Sequence, residues 1–330
     1  MNATTGLPLP GSPIEFFKSN DTAYSQYPKW VSGFRPTDVK FDNCNRLLIS
    51  SDGTVNSQNQ RIGAGVVVVS NSQLEIVSSK PTMKPSTLPT KSPSITQSIN
   101  AKVVNGFNQK WFNTKMQIPR AMYVTKGGNV LVVDTAPTAS AVLAVKEDGT
   151  TYIIAQPPVT DPLLTHGLTV NNGKLYASTA GNVYQWSYTE GQITLSTEIA
   201  TTVITNMPSS GYTTRPLMFD LTGETLYVEV GANTTKAGVD KTDVRSKIKS
   251  FNLNNRTYPI DWNAGQNYTA GIRNSPGLAF DHFGSLWVAD IQVNSFPNNF
   301  RPDLGVASKL IKDNPAGRLI RVSSVGLDFG

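Results

Sequence analysis

The stretch Leu278-Ala279-Phe280-Asp281-His282-Phe283-Gly284-Ser285-Leu286-Trp287-Val288-Ala289 decides the fold. It joins a short apolar segment, a polar turn with Asp and Gly, and a second apolar segment, which is the pattern of two strands paired around a tight turn. Four other stretches repeat this pattern, at residues 39–50, 122–133, 168–178 and 217–228. A strand–turn–strand unit that recurs along a chain predicts a repeat architecture.

The spacing of the units indicates a β-propeller. Each unit has one apolar residue, here called its anchor, just before the turn: Phe41, Val124, Val170, Phe219 and Phe280. Successive anchors are 83, 46, 49 and 61 residues apart, and roughly 40 to 50 residues is the length of a four-stranded propeller blade. Turn residues and β-branched residues dominate, and no long amphipathic helix is evident, so we expect an all-β chain.

The long first interval contains an insertion. Residues 80–99 are rich in Pro, Ser and Thr, with Pro81, Pro85, Pro89 and Pro93 four residues apart. Such a segment buries too little apolar surface to order itself, so we expect it to be disordered. We predict a single propeller domain over residues 32–330, preceded by an N-terminal extension at residues 1–31 that helps to close the ring.

The composition limits the classes of partner that the chain is expected to bind. The chain has 330 residues, 16% of them charged, and a net charge of +6. Its Lys and Arg residues are scattered, which argues against a nucleic-acid surface and favours attraction of a small anion into a cleft. The longest aliphatic run, Val66 to Val69, is too short to cross a bilayer. The single cysteine, Cys44, excludes an intramolecular disulfide and a cysteine-rich metal site.

Glycosylation motifs favour secretion. Five Asn-x-Ser/Thr sequons occur, at Asn2, Asn20, Asn233, Asn255 and Asn267. The first residues show no signal peptide. We expect an extracellular glycoprotein.

Basic residues precede the first strand of each unit. They are Arg35, Arg120, His166, Arg215 and Arg273, and His166 is one of only two histidines. Equivalent strand starts lie at one face of a propeller around its axis, so these side chains are predicted to converge there. Four convergent guanidiniums repel one another unless an anion lies between them, and the arginine fork suits carboxylates. This predicts a small, planar polyanion as ligand. The alternative is that the arginines pair with blade carboxylates such as Asp38, Asp134 or Asp220.

Several segments resemble the soluble quinoprotein glucose/sorbosone dehydrogenase family, and in particular its fungal pyranose dehydrogenase branch. The segments span residues 165–178, 213–215, 226–231, 244–251, 271–281 and 300–305, and Gly271-Ile272-Arg273-Asn274-Ser275-Pro276-Gly277-Leu278-Ala279-Phe280-Asp281 is the most specific of them. The resemblance implies a six-bladed propeller that binds pyrroloquinoline quinone, a planar tricarboxylate, together with calcium. It implies an oxidoreductase that passes hydride from an aldose or pyranose sugar to the quinone and electrons to an external acceptor such as a cytochrome.

The resemblance also assigns roles to residues. It makes His166 the general base that takes the proton of the sugar hydroxyl. It places Arg215, Asn233, Arg245, Arg273 and Asn274 in segments that face the cofactor. Arg35 and Arg120 are also predicted to bind the cofactor, but only because of their position in the repeated units. Asn233 also heads a sequon, and we expect it to carry no glycan. The calcium ligands are not named by the sequence, because such sites use backbone carbonyls.

The end of the chain departs from the family. The pattern stops after Ala316, which predicts a truncated chain and an incomplete last blade. Two other functions therefore stay open. One is a non-catalytic extracellular binding propeller, and the other is a metal-dependent lactonase on a similar propeller. The latter chemistry favours carboxylate and Asn ligands in the channel, whereas here Arg and His precede the strands.

Overall fold

The described part of the chain is built almost entirely of β-strands. The computed structural model describes residues 17–19, 36–42, 46–55, 61–71, 101–103, 107–136, 140–233, 244–291 and 317–329. In these residues the single helical element is a short 3-10 helix, Trp262–Ala264. No helix in the described ranges has the length and apolarity needed to cross a membrane.

Five antiparallel sheets follow one another along the chain. The first contains β2 (Pro36–Phe41), β3 (Leu47–Val55), β4 (Arg61–Asn71) and β6 (Phe107–Asn113), and beside it β1 (Phe17–Ser19) pairs with β5 (Ala101–Val103). The second contains β7 (Pro119–Val124), β8 (Val130–Thr135), β9 (Ser140–Val145) and β10 (Thr151–Ala155). The third contains β11 (Leu164–Asn171), β12 (Lys174–Thr179), β13 (Val183–Ser187) and β14 (Thr201–Thr205).

The remaining sheets complete the series. The fourth contains β15 (Leu217–Phe219), β16 (Thr225–Val230), β17 (Lys247–Asn252) and β19 (Gln266–Ala270). Two short strands add in parallel at outer edges, β18 (Ile260–Asp261) beside β14 and β23 (Leu327–Asp328) beside β19. The fifth sheet has three strands, β20 (Gly277–Phe280), β21 (Leu286–Asp290) and β22 (Arg318–Val322). Each sheet is one propeller blade, numbered here in chain order.

Turn chemistry explains why the predicted units fold as hairpins. Asn172 and Gly173 join β11 to β12 with positive φ values of 46° and 69°, the left-handed conformations that a two-residue hairpin turn requires. In the last unit, the Asp281 carboxylate accepts the backbone N–H groups of Phe283 and Ser285 at 3.0 and 2.9 Å and so closes the turn. The exposed His282 lies in this turn, as its sequence context predicts.

Apolar clusters join each blade to the next. Buried Leu48 and Val66 of blade 1 pack in one cluster with Met122 of blade 2, and three similar clusters join blades 2 and 3, 3 and 4, and 4 and 5. Sheets that pack face to face around their first strands form a β-propeller. The propeller prediction is confirmed, but the expectation of six blades is wrong, because the described residues form five. The disordered insertion expected at residues 80–99 lies outside the described residues.

Candidate functional site

A cavity of about 330 Å³ lies where the first strands of the five blades meet. These strands are β2, β7, β11, β15 and β20, and each contributes to the lining. Most of the wall is apolar. Its polar side chains are those of Asp38, Lys40, Tyr123, His166 and Thr169.

Irregular pairing at the start of three first strands turns polar side chains toward this cavity region. The register shifts between Pro36 and Asp38, between Pro119 and Met122, and between Leu164 and Leu168. Bulges of this kind re-aim side chains and are common beside active sites. The bulged segments carry Asp38, Arg120 and His166 respectively.

The backbone around His166 is fixed by close contacts within its own blade and with the next one. Its N–H donates to the Thr214 carbonyl at 2.8 Å, and the N–H of Gly167 donates to the Ser178 hydroxyl at 3.0 Å. A Cβ added to Gly167 would lie 2.2 Å from Ser178 Oγ and 2.3 Å from the Arg215 carbonyl oxygen. Only glycine fits at this position, so Gly167 allows the close approach that sets the place of His166.

Burial keeps the His166 imidazole neutral. The residue is 5% exposed, and desolvation lowers its pKa to about 4. The Asp38 carboxylate opposes this fall in pKa, whereas the positive charges of Arg120 and Lys40 add to it. The backbone carbonyl of Pro276, a residue that also lines the cavity, raises the pKa of the ring.

Asp38 and Lys40 form a charged pair beside His166 that the sequence did not single out as part of the site. Lys40 Nζ lies 3.4 Å from Asp38 Oδ1, and Asp38 Oδ2 accepts the N–H of Met122 at 2.6 Å. The carboxylate therefore joins blade 1 to blade 2 as well as facing the cavity. The only available signal was its position three residues before the anchor Phe41, close to the position of His166 in its own unit.

Arg215 is turned into the protein. It is 0% exposed, and its guanidinium donates to the carbonyls of Ala180, Tyr212 and Pro208. Burial lowers its pKa to about 10. Its φ of 56° is unusual for a residue other than glycine and changes the direction of the side chain. The structure does not place Arg215 among the residues that line the cavity.

Arg273 and Asn274 lie in the segment that leads into β20. The Arg273 guanidinium stacks over the Tyr212 ring, 4.6 Å from its centroid, and donates to the Tyr212 hydroxyl and to the Ile291 carbonyl. Asn274 Oδ1 accepts from Thr214 Oγ1 at 2.6 Å. Because the Thr214 carbonyl also accepts the His166 N–H, this segment and His166 belong to one hydrogen-bonded group.

Arg245 and Asn233 flank the same group at the surface. The Arg245 guanidinium donates to the Ser210 hydroxyl, which bonds in turn to Asn233 Oδ1 at 3.4 Å. Ser210 precedes Tyr212, the residue under the Arg273 guanidinium, by two positions. Five of the predicted site residues besides His166 thus lie around one end of the propeller: Arg120, Asn233, Arg245, Arg273 and Asn274. Arg35 lies outside the described residues.

The predicted equivalence of the basic residues holds for three of the five units. Arg120, His166 and Arg215 each stand four residues before their anchor. Arg35 stands six residues before its anchor and Arg273 seven, so the matching residues in those units are Thr37 and Pro276. The interpretation of four arginines at one repeated position is therefore wrong.

Two buried carboxyl groups, missed by the sequence analysis, hold the segment before β20. Asp290 Oδ1 accepts the N–H groups of Arg273 and Asn274 at 3.0 and 2.8 Å, while its Oδ2 forms an ion pair with Arg318 at 2.8 Å. Glu229 is 0% exposed and bonds to the backbone of Ser275. Across the described ranges, no three His, Cys, Asp or Glu side chains come together as a metal site.

The fold and this group of residues define a β-propeller protein with a cavity where its first strands meet, lined in part by charged and polar side chains. A model of the TrAA12-like family matches residues 101–327, which is more than half of the chain, so the protein belongs to that family. The resemblance to the soluble quinoprotein sugar dehydrogenases is thereby confirmed.

Known proteins support the assignment. The chain is 28% identical over 203 residues to a pyrroloquinoline quinone-dependent sugar dehydrogenase of Hypocrea jecorina (strain QM6a), and the alignment covers 58% of this chain and 47% of that protein. The iodide structure of the AA12 enzyme of Trichoderma reesei matches with 25% identity and a TM-score of 0.51, covering 64% of this chain and 55% of that one. Its calcium structure matches with 26% identity and a TM-score of 0.50, covering 63% and 52%. The chain thus spans about half the length of these relatives.

The residues around His166 fit a planar anion. Arg245 and Arg273 carry guanidinium groups and Asn274 carries an amide close to this hydrogen-bonded group, and the guanidinium carbon of Arg273 lies 4.6 Å from the centroid of the Tyr212 ring. The neutral imidazole beside them adds no charge. Arg215 differs from them because all three hydrogen bonds of its guanidinium go to backbone carbonyls. Like Arg245, Arg273 and Asn274, it does not line the cavity itself.

Proposed function

We propose that this chain carries the site of a pyrroloquinoline quinone-dependent dehydrogenase that oxidises an aldose or pyranose sugar. The observation that carries the proposal is His166, a buried neutral imidazole on the wall of the axial cavity, hydrogen-bonded through Thr214 to the segment with Arg273 and Asn274. Membership of the TrAA12-like family and the likeness to a sugar dehydrogenase that uses this quinone support it.

His166 acts as the general base in this proposal. Sugar oxidation requires a group that takes the hydroxyl proton while hydride leaves the same carbon, and a neutral imidazole can accept that proton. In the neutral ring one nitrogen carries a hydrogen, and the other holds the lone pair that would accept the substrate proton. Because the pKa is lowered to about 4, the base is available at any pH above that value.

Arg245, Arg273 and Asn274 would hold the carboxylates and carbonyls of the quinone, with Asn233 and Arg120 at the margins of the site. When bound, the quinone supplies the hydride acceptor, and the protein supplies orientation and charge. Arg35 remains a further proposed contact. Calcium is part of the same proposal, with oxygen ligands that include backbone carbonyls, and one structure of the AA12 relative is a calcium structure.

The natural setting follows from the same reasoning. We propose that the protein lies outside the cell. Its reduced cofactor would pass electrons to an external acceptor such as a cytochrome. The five sequons support this location, and glycans are expected on the exposed sequon residues Asn255 and Asn267 rather than on Asn233 beside the site.

Reconstitution tests the proposal. The purified protein is titrated with pyrroloquinoline quinone and Ca²⁺, binding is followed by the absorbance of the quinone, and turnover is measured with aldoses and a dye acceptor. We expect saturable binding and sugar-dependent reduction of the dye. His166→Ala should lower kcat by roughly 10²–10⁴-fold and leave quinone binding intact, because the anion is held by other residues.

The matched control is His282→Ala, which removes the other histidine from an exposed turn and should change neither binding nor turnover. Absence of quinone binding would overturn the cofactor assignment. Binding without turnover on any aldose would instead favour a propeller that only binds its ligand. Full activity of His166→Ala would show that another group is the base.

A further inference from the structure

Glu229 is a fully buried carboxyl group next to the residues that hold His166. It lies near the end of β16 and is 0% exposed. Thr214 Oγ1 approaches its Oε2 at 3.5 Å, and the backbone of Ser275 lies close enough to the carboxyl group to lower its pKa. Among the described residues, Oε1 has no hydrogen-bond partner. A carboxylate oxygen buried without a donor is costly, whereas the neutral acid avoids most of that cost.

The charged groups around Glu229 do not neutralise it. The nearest cation is Arg215, but the hydrogen bonds of its guanidinium go to the carbonyls of Ala180, Tyr212 and Pro208. The nearest anion is Asp290, which forms an ion pair with Arg318. Within the described residues, Glu229 takes part in no salt bridge. Two neighbouring buried carboxyls thus have different environments, and Asp290 has the one that suits a negative charge.

The blade repeat supplies an independent reason to regard Glu229 as a proton donor. The residues that pair with three of the anchors are Leu47, Leu175 and Leu226, and three positions further on stand Ser50, Ser178 and Glu229. The Ser50 hydroxyl donates to the carbonyl of Arg120 at 2.8 Å. The Ser178 hydroxyl donates to that of Arg215 at 2.9 Å. In both cases a hydroxyl bonds to the first strand region of the next blade, whereas blades 2 and 5 have Val133 and Ala289 at this position. A protonated Glu229 would offer an O–H group of the same kind as the two serines.

Glu229 touches both connections that hold His166. Thr214, at 3.5 Å from its carboxyl group, accepts the backbone N–H of His166. Ser275, whose backbone acts on the Glu229 carboxyl group, directly precedes Pro276, which lines the cavity with His166 and whose backbone acts on the imidazole ring. We propose that Glu229 is a positioning residue that is held as the neutral acid and keeps the Thr214 and Ser275–Pro276 segments in place around His166. The positioning role rests on the proposed function, whereas the neutral state does not.

Infrared spectroscopy and pH-dependent unfolding test the neutral state without any cofactor. Glu229→Gln keeps the shape and removes the titration, and Asp290→Asn is the matched control at the neighbouring carboxyl. We expect a carboxylic-acid band at pH 6.5 that Glu229→Gln abolishes and Asp290→Asn retains. Burial raises the Glu229 pKa to about 8, so the folded protein binds this proton more tightly than the unfolded chain. The stability of the wild-type protein should therefore fall from pH 5 to pH 8, and this fall should be absent in Glu229→Gln. Lack of the band, or a Glu229→Gln protein as unstable as Asp290→Asn at pH 7, would overturn the proposal.

Positioning is read from the His166 ring by NMR of ¹³C-labelled histidine. The His166 resonance should move as the wild-type protein is titrated through pH 8, and it should stay still in Glu229→Gln. If the chemical shift of His166 does not change through pH 8 although the carboxylic-acid band is present, Glu229 is neutral but does not position His166. Quinone binding is a separate measurement. The affinity of the wild-type protein for quinone should fall about tenfold or more above pH 8, whereas the affinity of Glu229→Gln should not change. If the wild-type protein binds no quinone at all, the proposed function fails while the infrared and NMR results still decide the role of Glu229.

Discussion

The neutrality of His166 makes a quantitative prediction about pH. Burial lowers its pKa from 6.5 to about 4, so at pH 5 the imidazole should be mostly neutral, whereas an ordinary histidine would be mostly protonated. The unfolded chain binds this proton more tightly than the folded one. Stability from this group is therefore fully present above pH 6.5 and is lost as the pH falls toward 4. The loss amounts to about 3 kcal/mol, since one pKa unit corresponds to about 1.4 kcal/mol.

NMR can follow this titration directly, because the chain has two histidines. Labelling histidine with ¹³C gives two ring signals, and His282→Ala assigns them. Asp38→Asn keeps an acceptor for the Met122 N–H but removes the negative charge, so the His166 pKa should fall further. Lys40→Met removes a positive charge and should raise it. These opposite directions follow from the charges that surround the ring.

Unfolding measurements give the matching energy. The difference in stability between the wild-type protein and His166→Gln should change by about 3 kcal/mol between pH 7 and pH 4, measured by urea denaturation at each pH. In the reconstituted enzyme, kcat/KM should show no loss from this base until the pH approaches 4. A His166 signal that titrates near pH 6.5 or above, with no pH-dependent difference between the two proteins, would refute the idea of a buried neutral base.

Two further substitutions test the framework of the site. Gly167→Ala should destabilise the fold by about 1–3 kcal/mol or more and shift the His166 signal, because its Cβ would lie 2.2 Å from Ser178 Oγ; an unchanged urea midpoint and spectrum would show that the strand relaxes freely. Arg215→Met should cost about 2–5 kcal/mol, as three part-buried carbonyls lose their donor, yet the folded fraction should bind quinone with unchanged affinity. Loss of affinity there would restore Arg215 to the cofactor site.

The sequence was enough to predict the repeat and its hairpins. Each anchor lies at or next to the end of a first strand, as the unit pattern requires. It was not enough to predict side-chain direction near the strand starts, because bulges and a positive φ intervene there. Arg215 shows this most clearly. It stands four residues before its anchor, as His166 does, but a φ of 56° accompanies a guanidinium that lies among backbone carbonyls. No periodicity in the sequence reports that angle.

Glu229 escaped notice for a different reason. In Leu226-Tyr227-Val228-Glu229-Val230 the alternation assigns Glu229 to the face opposite Leu226 and Val228, which in an ordinary half-exposed sheet would be the wet face. In a propeller the inner strands are covered on both faces by neighbouring blades, so this carboxyl group is buried. Fold class therefore changes the meaning of the pattern, and a polar residue on such a strand marks a buried group.

The position four residues before the anchor shows how function arises from the repeat. Its residues are Thr37, Arg120, His166, Arg215 and Pro276. In blades 2 and 4 the backbone carbonyl at this position accepts a serine hydroxyl from the blade before, at 2.8 and 2.9 Å. Because the backbone carries that joint between blades, the side chain is free to differ.

The Arg215 side chain at this position bonds to the carbonyls of Ala180, Tyr212 and Pro208. The His166 side chain at the same position lines the cavity. The Pro276 backbone raises the pKa of the His166 imidazole, so one copy of the position acts on the side chain of another. The site thus depends on differences between equivalent positions, and exchanging residues among them should alter function far more than fold. A protein with Arg120→Thr, the residue found in blade 1, should keep its unfolding midpoint in urea and show a raised His166 pKa, since the nearby positive charge lowers it. A large loss of stability instead would mean that the side chain at this position also holds the blades together.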